Sequence, residues 1–401
     1  MNRRNFLIKG TAASAALVTG TSMFANVGCT LIKDRKINIG VIGTGSRGSG
    51  LIPFLNEIEG VNVYACCDVL PSHLKKGIAR TEGKAKGFTD YKDLLNDTAV
   101  DAVIISTPFS THSQIAMDAV DAKKHVYCEK TLAKSYQGIY DLVGKVKKSK
   151  TIFQTGHQYH SSRLYTHIVK LIQEGKIGKI NSFDCQWYRK GDWRRTVPKP
   201  SLEKAINWRM YREYSGGLVA ELCSHQIDFV NWVLDSQPKQ VMGFGGIDYW
   251  KDGRETFDNV HLMFNYANGA KAKFSSITTP NTNSGGYQIK VLGDKGSIVI
   301  GTDKAWLLSG KKTKKVEKED VDGVSGATPQ AGYSYKGEPI EVGHKNPSKQ
   351  ALLDFRDSIL NNTQPKSDLY TGAKTAVCVQ MALDAMYDNK IVNWDNKNTF
   401  S

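Results

Sequence analysis

The stretch Ile37–Gly50, INIGVIGTGSRGSG, constrains the fold of this 401-residue chain more than any other. Its apolar first half reads as a strand and leads directly into Gly43, Gly45 and Gly48, in the pattern G-x-G-x-x-G. The first glycine permits a tight turn, the second lets the backbone approach a pyrophosphate, and the third lets a helix pack closely on the strand. The following helix, which we predict to cover Leu51–Glu57, offers N–H donors at its N-terminus.

A second valine-rich strand, predicted at Val61–Cys67, ends at Asp68, about 20 residues after Gly48. A carboxylate at this place accepts hydrogen bonds from a ribose 2′-hydroxyl, which favours NAD over NADP. The alternative interpretation is an unrelated glycine turn in an α/β protein. We predict that Asp68 and the residues of the turn bind the cofactor; the turn residues are Gly43, Thr44, Gly45, Ser46, Arg47 and Gly48.

Strand and helix patterns alternate after this point, which predicts an α/β fold with a doubly wound parallel sheet. Two more core strands, at Val100–Ser106 and His125–Cys128, are followed by polar residues. The carboxyl ends of such strands face the ligand crevice. We therefore add to the cofactor-binding candidates the residues that follow these strands: Ser106, Thr107, Pro108, His112, Glu129 and Lys130. His112 fits a contact with the nicotinamide and a helix cap equally well.

We predict three folded regions after an N-terminal signal at residues 1–30. They are a dinucleotide-binding Rossmann domain at 37–156, an α+β substrate and oligomerisation domain at 157–345, and C-terminal helices at 346–401 that pack at the domain junction. The second domain carries several strand patterns, including a tight-hairpin signal at Asn268-Gly269, which predict an open, mostly antiparallel sheet. Residues 310–337 read as a long loop. An open sheet needs a cover, so we expect a homo-oligomer, a dimer or a tetramer.

A predicted helix at Gly216–Leu234 carries Glu221, His225 and Asp228. Glu221 and His225 are four residues apart and share a helix face, which Asp228 continues. A carboxylate beside a histidine can orient the imidazole and support its protonated form. The alternative is a purely structural pair at a domain interface.

The combination of a dinucleotide fold, Glu129-Lys130 at a strand end and the helix pattern G-G-x-x-x-E-x-x-x-H-x-x-D resembles the Gfo/Idh/MocA oxidoreductase family over about residues 37–395. The resemblance implies oxidation or reduction of a secondary alcohol on a sugar, glycoside or polyol with NAD(P). It implies that Lys130 hydrogen-bonds the reacting hydroxyl, that His225 is the general acid/base, and that Glu221 holds the histidine or a substrate hydroxyl. This chain has Thr131 where the family usually has proline, and Glu221 where it usually has aspartate.

Hydride leaves a carbinol carbon as its hydroxyl proton is removed, so a base is needed there, and Lys130 and His225 offer one group from each domain. Indole faces suit a pyranose and polar side chains suit its hydroxyls. The substrate candidates, each equally compatible with a structural role, are His157, Trp187, Trp193, Arg194, Asn207, Trp208 and Asp228. His157 and His160 form an H-x-x-H pair without nearby carboxylate or thiolate ligands, so we predict no metal site.

The N-terminal segment Asn2–Lys9 contains a twin-arginine pattern followed by a moderately apolar stretch too short for a lasting membrane span. It predicts export of the folded protein to the periplasm; an ordinary secretion signal with a chance Arg-Arg is the alternative. Val27-Gly28-Cys29 resembles the end of a lipoprotein cleavage box, so a membrane anchor depends on lipidation of Cys29. The seven cysteines show no C-x-x-C spacing and read as free and buried.

The composition, 40% hydrophobic and 23% charged residues, is that of an ordinary globular protein. The net charge of +15 comes from scattered Lys and Arg residues without a nucleic-acid motif, so we read it as solvated surface and predict no nucleic-acid partner. A periplasm is not expected to hold free NAD(H), which favours a tightly held cofactor. The hypotheses are an exported sugar or glycoside dehydrogenase, with a glycoside 3-dehydrogenase as the specific case; a redox-neutral, NAD-dependent glycosidase; and a non-catalytic sugar-binding protein.

Overall fold

The computed structural model describes residues 36–279, 286–309, 337–343 and 345–400. The predicted signal at 1–30, Cys29 and nearly all of the predicted 310–337 loop lie outside these residues. Within the described part of the chain, no helix has both the length and the apolar composition needed to cross a membrane.

The N-terminal unit is built on six parallel strands in the order β3-β2-β1-β4-β5-β6. Strands β1 to β6 are Ile37–Ile42, Val61–Cys67, Lys86–Phe88, Ala102–Ile105, His125–Cys128 and Phe153–Thr155. Helices α1 to α5 are Ser46–Asn56, Pro71–Ala79, Tyr91–Asn96, Phe109–Asp121 and Tyr136–Lys147. The strand order reverses beside β1, where such sheets form their ligand crevice. The doubly wound parallel sheet predicted from the sequence is confirmed.

The first helix begins at Ser46, so the glycine turn itself forms its first turn, ahead of the predicted Leu51–Glu57 segment. Gly45 is the N-cap, and the Ser49 hydroxyl donates back to its carbonyl at 2.5 Å. Helix propensity did not indicate this start, because glycine and serine are poor helix formers. Close packing against β1 holds them helical instead.

The C-terminal unit contains a nine-stranded sheet in the order β14-β13-β12-β11-β7-β10-β9-β8-β15. Strands β7 to β15 are Ile180–Lys190, Pro238–Gly246, Asn259–Tyr266, Lys271–Thr279, Tyr287–Gly293, Gly296–Ile300, Ala305–Ser309, Glu338–Ile340 and Val392–Asn393. Strands β7 and β10 are parallel, and the other neighbouring pairs are antiparallel. This confirms the predicted α+β unit with an open, mostly antiparallel sheet.

Helices cover one face of this sheet. Helices α6 to α10 are Arg163–Gln173, Glu203–Ile206, Ser224–Leu234, Pro347–Asn361 and Leu369–Tyr387. The cover is formed by α6, α8 and α10, whereas the short α7 packs on neighbouring turns and α9 packs on α1 of the first unit. Phe183, Phe264 and Phe274 point into this buried layer, and none is accessible to solvent. Residues that alternate with the buried positions emerge on the opposite face, among them Phe244, which is 67% exposed, and Met242.

The C-terminal helices reach back to both units. Helix α9 places Phe355 against Tyr127 of β5, with ring centres 5.8 Å apart. In α10, Asp384 accepts a hydrogen bond of 3.0 Å from the hydroxyl of Tyr136 at the start of α5. These contacts join the end of the chain to the parallel sheet and its helices.

Candidate active site

The glycine turn has the geometry that a dinucleotide pyrophosphate requires. Gly43 has φ of +86°, and a Cβ there would lie 2.8 Å from the Ser106 backbone. A Cβ on Gly48 would come within 1.9 Å of the Gly43 carbonyl oxygen, so helix and strand touch there. At Gly45 the nearest atom to a Cβ, in His73, is 3.7 Å away, so space is open above the turn. The first turn of α1 has no acidic residue and no side-chain cap, which suits an anion.

Asp68 follows β2 and is 9% exposed. Its Oδ2 accepts a hydrogen bond of 2.8 Å from the Thr44 amide, and its Oδ1 accepts one of 2.9 Å from the Leu70 amide. A carboxylate has about four acceptor positions, so further ones are available to a ribose hydroxyl. The turn, the helix N-terminus and Asp68 therefore fit NAD.

A cavity of about 250 Å³ lies between the two units and draws its lining from both. Several predicted cofactor and catalytic residues line it: Arg47, Ser106, Thr107, His112, Glu129, Lys130, Glu221 and His225. Three predicted substrate residues also line it: Trp187, Trp193 and Trp208. The structure thus brings together, at one cavity, candidates that are separated along the chain by up to about 180 residues.

Lys130 stands at the carboxyl end of β5 and is 8% exposed. Its ammonium donates to the carbonyl oxygens of Glu221 and Ala220, at 2.8 and 3.0 Å. An ammonium has three N–H donors, so one remains for a group in the cavity. Burial lowers the pKa of Lys130 from its ordinary value, which makes proton exchange at this site easier. Its peptide bond to Thr131 is cis.

The carbonyls that receive Lys130 belong to an unusual helical turn. The chain over Val219–Cys223 forms a π-helix, which continues into α8, where the sequence predicted one regular helix over Gly216–Leu234. A π-turn widens the helix and frees a carbonyl from its usual partner, and such turns are frequent at functional sites. Here they present backbone oxygen atoms to Lys130.

Glu221 lines the same cavity as His225, and its carboxylate binds two cations. Glu221 accepts a hydrogen bond of 2.5 Å from Nε of Arg209, and its other oxygen lies 3.6 Å from Nζ of Lys130. Burial favours the neutral carboxyl, but Arg209 and Lys130 outweigh it and lower the pKa of Glu221. Glu221 is therefore the buried anion between two cations, and its side-chain partners within the described part of the chain are Arg209 and Lys130 and not the imidazole.

His225 lines the cavity and is 7% exposed. Its ring lies 5.3 Å from that of Tyr159 and 5.9 Å from that of Trp187. Nδ1 is buried and has no hydrogen-bond partner among the described residues. Nε2 is therefore the ring nitrogen that can contact a molecule in the cavity. Burial and then the charge of Lys130 bring the pKa of His225 well below its ordinary value. The ring is neutral at neutral pH and can accept a proton.

Glu129 and His112 line the cavity and also bind neighbouring parts of the chain. Glu129, 6% exposed, accepts a hydrogen bond of 2.6 Å from Nε of Arg47. His112 lies in the first turns of α4, which Pro108 caps, so His112 is not the cap. Its ring nitrogens contact the carbonyl oxygens of Thr107 and Thr131, both at 2.8 Å. His112 therefore links the residues that follow two neighbouring strands.

Four predicted substrate residues lie outside the cavity lining, and each contacts other parts of the protein. Arg194 pairs with Asp252 and Glu203, both at 2.8 Å. Asn207 is 2% exposed, and its amide binds the N–H and the carbonyl of Arg195 at 2.8 and 2.9 Å. Both side chains fix the 191–199 loop, because a loop needs partners for its backbone groups.

Asp228 and His157 are the other two. Asp228 lies three residues beyond His225, about 60° around the helix. It is 2% exposed, accepts a hydrogen bond of 3.2 Å from the Thr375 hydroxyl and lies 3.0 Å from Nε2 of His160. His157 is fully buried behind His225. Among the described residues, no group of three or more His, Cys, Asp or Glu side chains is arranged to hold a metal.

Sequence reasoning missed five cavity residues: Phe109, Gln158, Arg189, Arg209 and Leu222. Arg209 lies 4.2 Å from the Trp208 ring centre and Arg189 lies 4.6 Å from that of Trp193. The tryptophans were singled out and their neighbouring cations were not. A search for arginines next to the candidate tryptophans would have found Arg209.

Two family models match the chain. Residues 37–157 match an oxidoreductase family model described as an NAD-binding Rossmann fold, and residues 165–299 match the GFO/IDH/MocA C-terminal domain.

Curated relatives match over much of the chain. The 2,7-anhydro-N-acetylneuraminate hydratase of Escherichia coli K12 is 29% identical over 350 residues, covering 84% of this chain and 87% of that protein. The myo-inositol 2-dehydrogenase of Thermotoga maritima is 26% identical over 268 residues, covering 65% and 74%. The structure of a levoglucosan dehydrogenase with NADH and levoglucosan covers 90% of this chain and 99% of that chain at 19% identity, with a TM-score of 0.71, and shows the shared fold.

Proposed function

The chain belongs to the GFO/IDH/MocA family of NAD-binding oxidoreductases, and from that premise we propose that it oxidises a secondary alcohol of a sugar, glycoside or polyol. The observation that carries the proposal is the meeting of Lys130 and His225 at one cavity, each from a different unit. The names of two relatives, an inositol dehydrogenase and a levoglucosan dehydrogenase, support this substrate class.

The contacts assign separate tasks to the two groups. Lys130, with two donors committed to carbonyls, directs its third to the substrate oxygen and orients it. His225, held neutral by burial, takes the hydroxyl proton on Nε2. NAD, when bound, supplies the acceptor for the hydride that leaves the same carbon as the carbonyl forms. The indoles of Trp187, Trp193 and Trp208 supply apolar walls suited to a sugar ring.

The test is turnover of a panel of sugars, glycosides and polyols, followed by NADH absorbance in wild type, Lys130→Ala and His225→Ala. We expect turnover in wild type and a loss of about 10²-fold or more in each variant. Glycosides oxidised at the ring 3-hydroxyl are the specific members to include. Full turnover in both variants would contradict the assignment, and glycoside binding without any turnover would favour a sugar-binding protein.

A redox-neutral reaction is the second candidate. The relative whose alignment covers 84% of this chain is named a hydratase, and adding water involves no net oxidation. A redox-neutral glycosidase would use the same nicotinamide twice in one cycle. Product analysis separates the two: a ketone with NADH accumulating supports the dehydrogenase, whereas a cleaved or hydrated product with NAD unchanged supports the alternative.

We further propose that the cofactor is held tightly and that the protein is exported through its twin-arginine segment. Arg195, on the 191–199 loop of the second unit, donates a hydrogen bond of 2.7 Å to the Ser46 hydroxyl in the first turn of α1. A guanidinium at this place can bind the pyrophosphate from the opposite side. Mass analysis of nucleotide released on denaturation tests the first proposal, and cell fractionation of an Arg3→Lys/Arg4→Lys variant tests the second.

One sheet face is not covered by any helix of the residues that the structure describes, which leads us to propose a homo-oligomer in which a second copy packs on it. Met242 and Met263 are opposite each other on neighbouring strands, and Phe244 and Leu292 add further exposed apolar surface. Such a face is costly to leave in water. Light scattering on Phe244→Asp should show a smaller particle than wild type, whereas equal masses would contradict this arrangement.

A further inference from the structure

His157 lies directly behind His225, and their rings meet edge to face with centres 6.2 Å apart. His157 is fully buried, at the point where β6 ends. Among the residues that the structure describes, neither Nδ1 of His225 nor Nε2 of His157 has a hydrogen-bond partner, and both atoms are buried. An unpaired buried polar atom costs about 1–3 kcal/mol, so two of them on rings in contact require a common explanation.

The chemistry assigned to His225 fixes where its own proton must be. A neutral imidazole that accepts a proton on Nε2 carries its hydrogen on Nδ1. That buried N–H then needs an acceptor. Nδ1 of His157 lies 3.3 Å from Oγ1 of Thr155 and can donate to it, which leaves Nε2 of His157 as an acceptor.

We propose that His157 is a positioning residue for the reaction: its Nε2 accepts the hydrogen bond from Nδ1 of His225, directly or through one bridging water. This bond holds Nε2 of His225 as the proton acceptor that faces the substrate. The inference rests on the proposed function for the role of His225, whereas the hydrogen bond itself is independent of turnover.

The rest of the network fixes the orientation of His157. Oγ1 of Thr155 lies 2.7 Å from Oγ of Ser367, and the Thr155 amide donates to the Ser367 carbonyl at 2.8 Å. The segment before α10 therefore anchors the strand end that carries His157. A side chain fixed on both sides has one ring orientation available to it, as positioning requires.

Charged and titratable groups around the pair come from several elements. They are Asp228 and Lys130, together with His160, Glu129, Arg47 and Tyr159. Burial lowers the pKa of His157, while the charge of Asp228 acts in the opposite direction. The charge of Asp228 therefore favours a proton on His157, whereas Lys130 and Arg47 oppose a proton on His225.

The decisive variants are His157→Phe and His157→Gln. Phenylalanine fills a similar volume without an acceptor, and glutamine restores an amide oxygen near the position of Nε2. In His157→Phe we expect kcat to fall about tenfold or more, with KM and NADH affinity unchanged. Loss of the acceptor destabilises the imidazolium, so the acid limb of kcat/KM should move to lower pH. His157→Gln should restore both.

His160→Gln is the matched control. It alters a buried histidine of the same segment, whose ring contacts Asp228 and Trp232 instead of His225. It should leave the acid limb in place. If His157→Phe leaves the acid limb in place, as His160→Gln does, His157 is only structural and the proposal is overturned.

The ring-nitrogen chemical shifts of histidine-labelled protein with bound NADH give a readout that needs no substrate. Wild type and His157→Gln should show His225 with its hydrogen on Nδ1, and His157→Phe should show a mixture of tautomers. A pure Nδ1–H form in His157→Phe overturns the hydrogen bond. A wild type that shows the bond but oxidises no alcohol refutes the proposed function and leaves the bond established.

Discussion

Lys130 and Glu221 meet across the cleft between the two units, with Nζ 3.6 Å from the carboxylate and 2.8 Å from the carbonyl oxygen of the same residue. A single residue of the second unit thus supplies both a charge and a dipole to the lysine at the strand end. Arg209 occupies the other carboxylate oxygen. Because this contact joins the two units, protonation of Lys130 also stabilises their relative position.

Removing the charge of Glu221 should shift the alkaline limb of activity. Burial lowers the pKa of Lys130 and the Glu221 carboxylate raises it, so Glu221→Gln should lower that pKa further. The variant should lose activity at a lower pH than wild type as the ammonium deprotonates. The measurement is kcat/KM across neutral to alkaline pH, and an unchanged alkaline limb would show that Lys130 does not act as an ammonium.

Two glycine substitutions should separate cofactor binding from folding. In Gly48→Ala the new methyl would meet the Gly43 carbonyl oxygen at 1.9 Å, so we expect a loss of about 1–3 kcal/mol or more in the free energy of unfolding. In Gly45→Ala the nearest atom is 3.7 Å away, so the fold should keep its stability while the methyl blocks the pyrophosphate.

The measurements for this pair are urea unfolding and NADH fluorescence titration on the same preparations. Gly45→Ala should unfold at the wild-type urea concentration and bind NADH weakly. Wild-type NADH affinity in Gly45→Ala would show that the pyrophosphate does not approach at this glycine.

The local sequence was sufficient to predict an element where short-range patterns of apolar residues determine it. The valine- and isoleucine-rich runs at Ile37–Ile42 and Val61–Cys67 gave their strands to the residue, since a buried parallel strand is a continuous apolar run. Lys130 follows a strand end and His225 lies on the helix that follows Gly216-Gly217, which are local signals, and both residues line the cavity.

The other features of the site depend on contacts between residues that are distant in the sequence or on backbone geometry that no residue pattern indicates. The π-turn at Val219–Cys223 follows no residue pattern, and it presents the Ala220 and Glu221 carbonyl oxygens to Lys130. Arg209 was missed because its partner, Glu221, is 12 residues away and is reached only through the fold. Asn207 has the polarity of a substrate ligand, but its hydrogen bonds go to the Arg195 backbone, which no spacing rule indicates.

Arg195 should control how long the cofactor stays bound. A charge-assisted hydrogen bond to phosphate contributes about 1.5–3 kcal/mol, so Arg195→Ala should weaken NADH binding about 10- to 100-fold, mainly through faster release. Lys199→Ala removes one positive charge from the same loop and is the matched control. Stopped-flow measurement of NADH release checks this, and equal release rates in wild type and Arg195→Ala would remove Arg195 from the cofactor site.

The buried histidines should make the fold sensitive to mild acid. Burial lowers the folded-state pKa of His112, His125, His157 and His225 below the ordinary value of about 6.5. Below that pH the unfolded chain binds protons that the folded chain does not, so the free energy of unfolding should fall as pH decreases from about 6.5.

This window lies above the range in which ordinary carboxylates titrate, about 3.9 to 4.3, so the histidine contribution can be isolated. Urea unfolding at several pH values between neutral and mildly acidic measures it. His157→Gln removes one of the four groups and should reduce the slope of the free energy of unfolding against pH. A free energy of unfolding that stays constant, or rises, toward acid pH would mean that these imidazoles are charged in the folded protein, and would remove His225 as a neutral base.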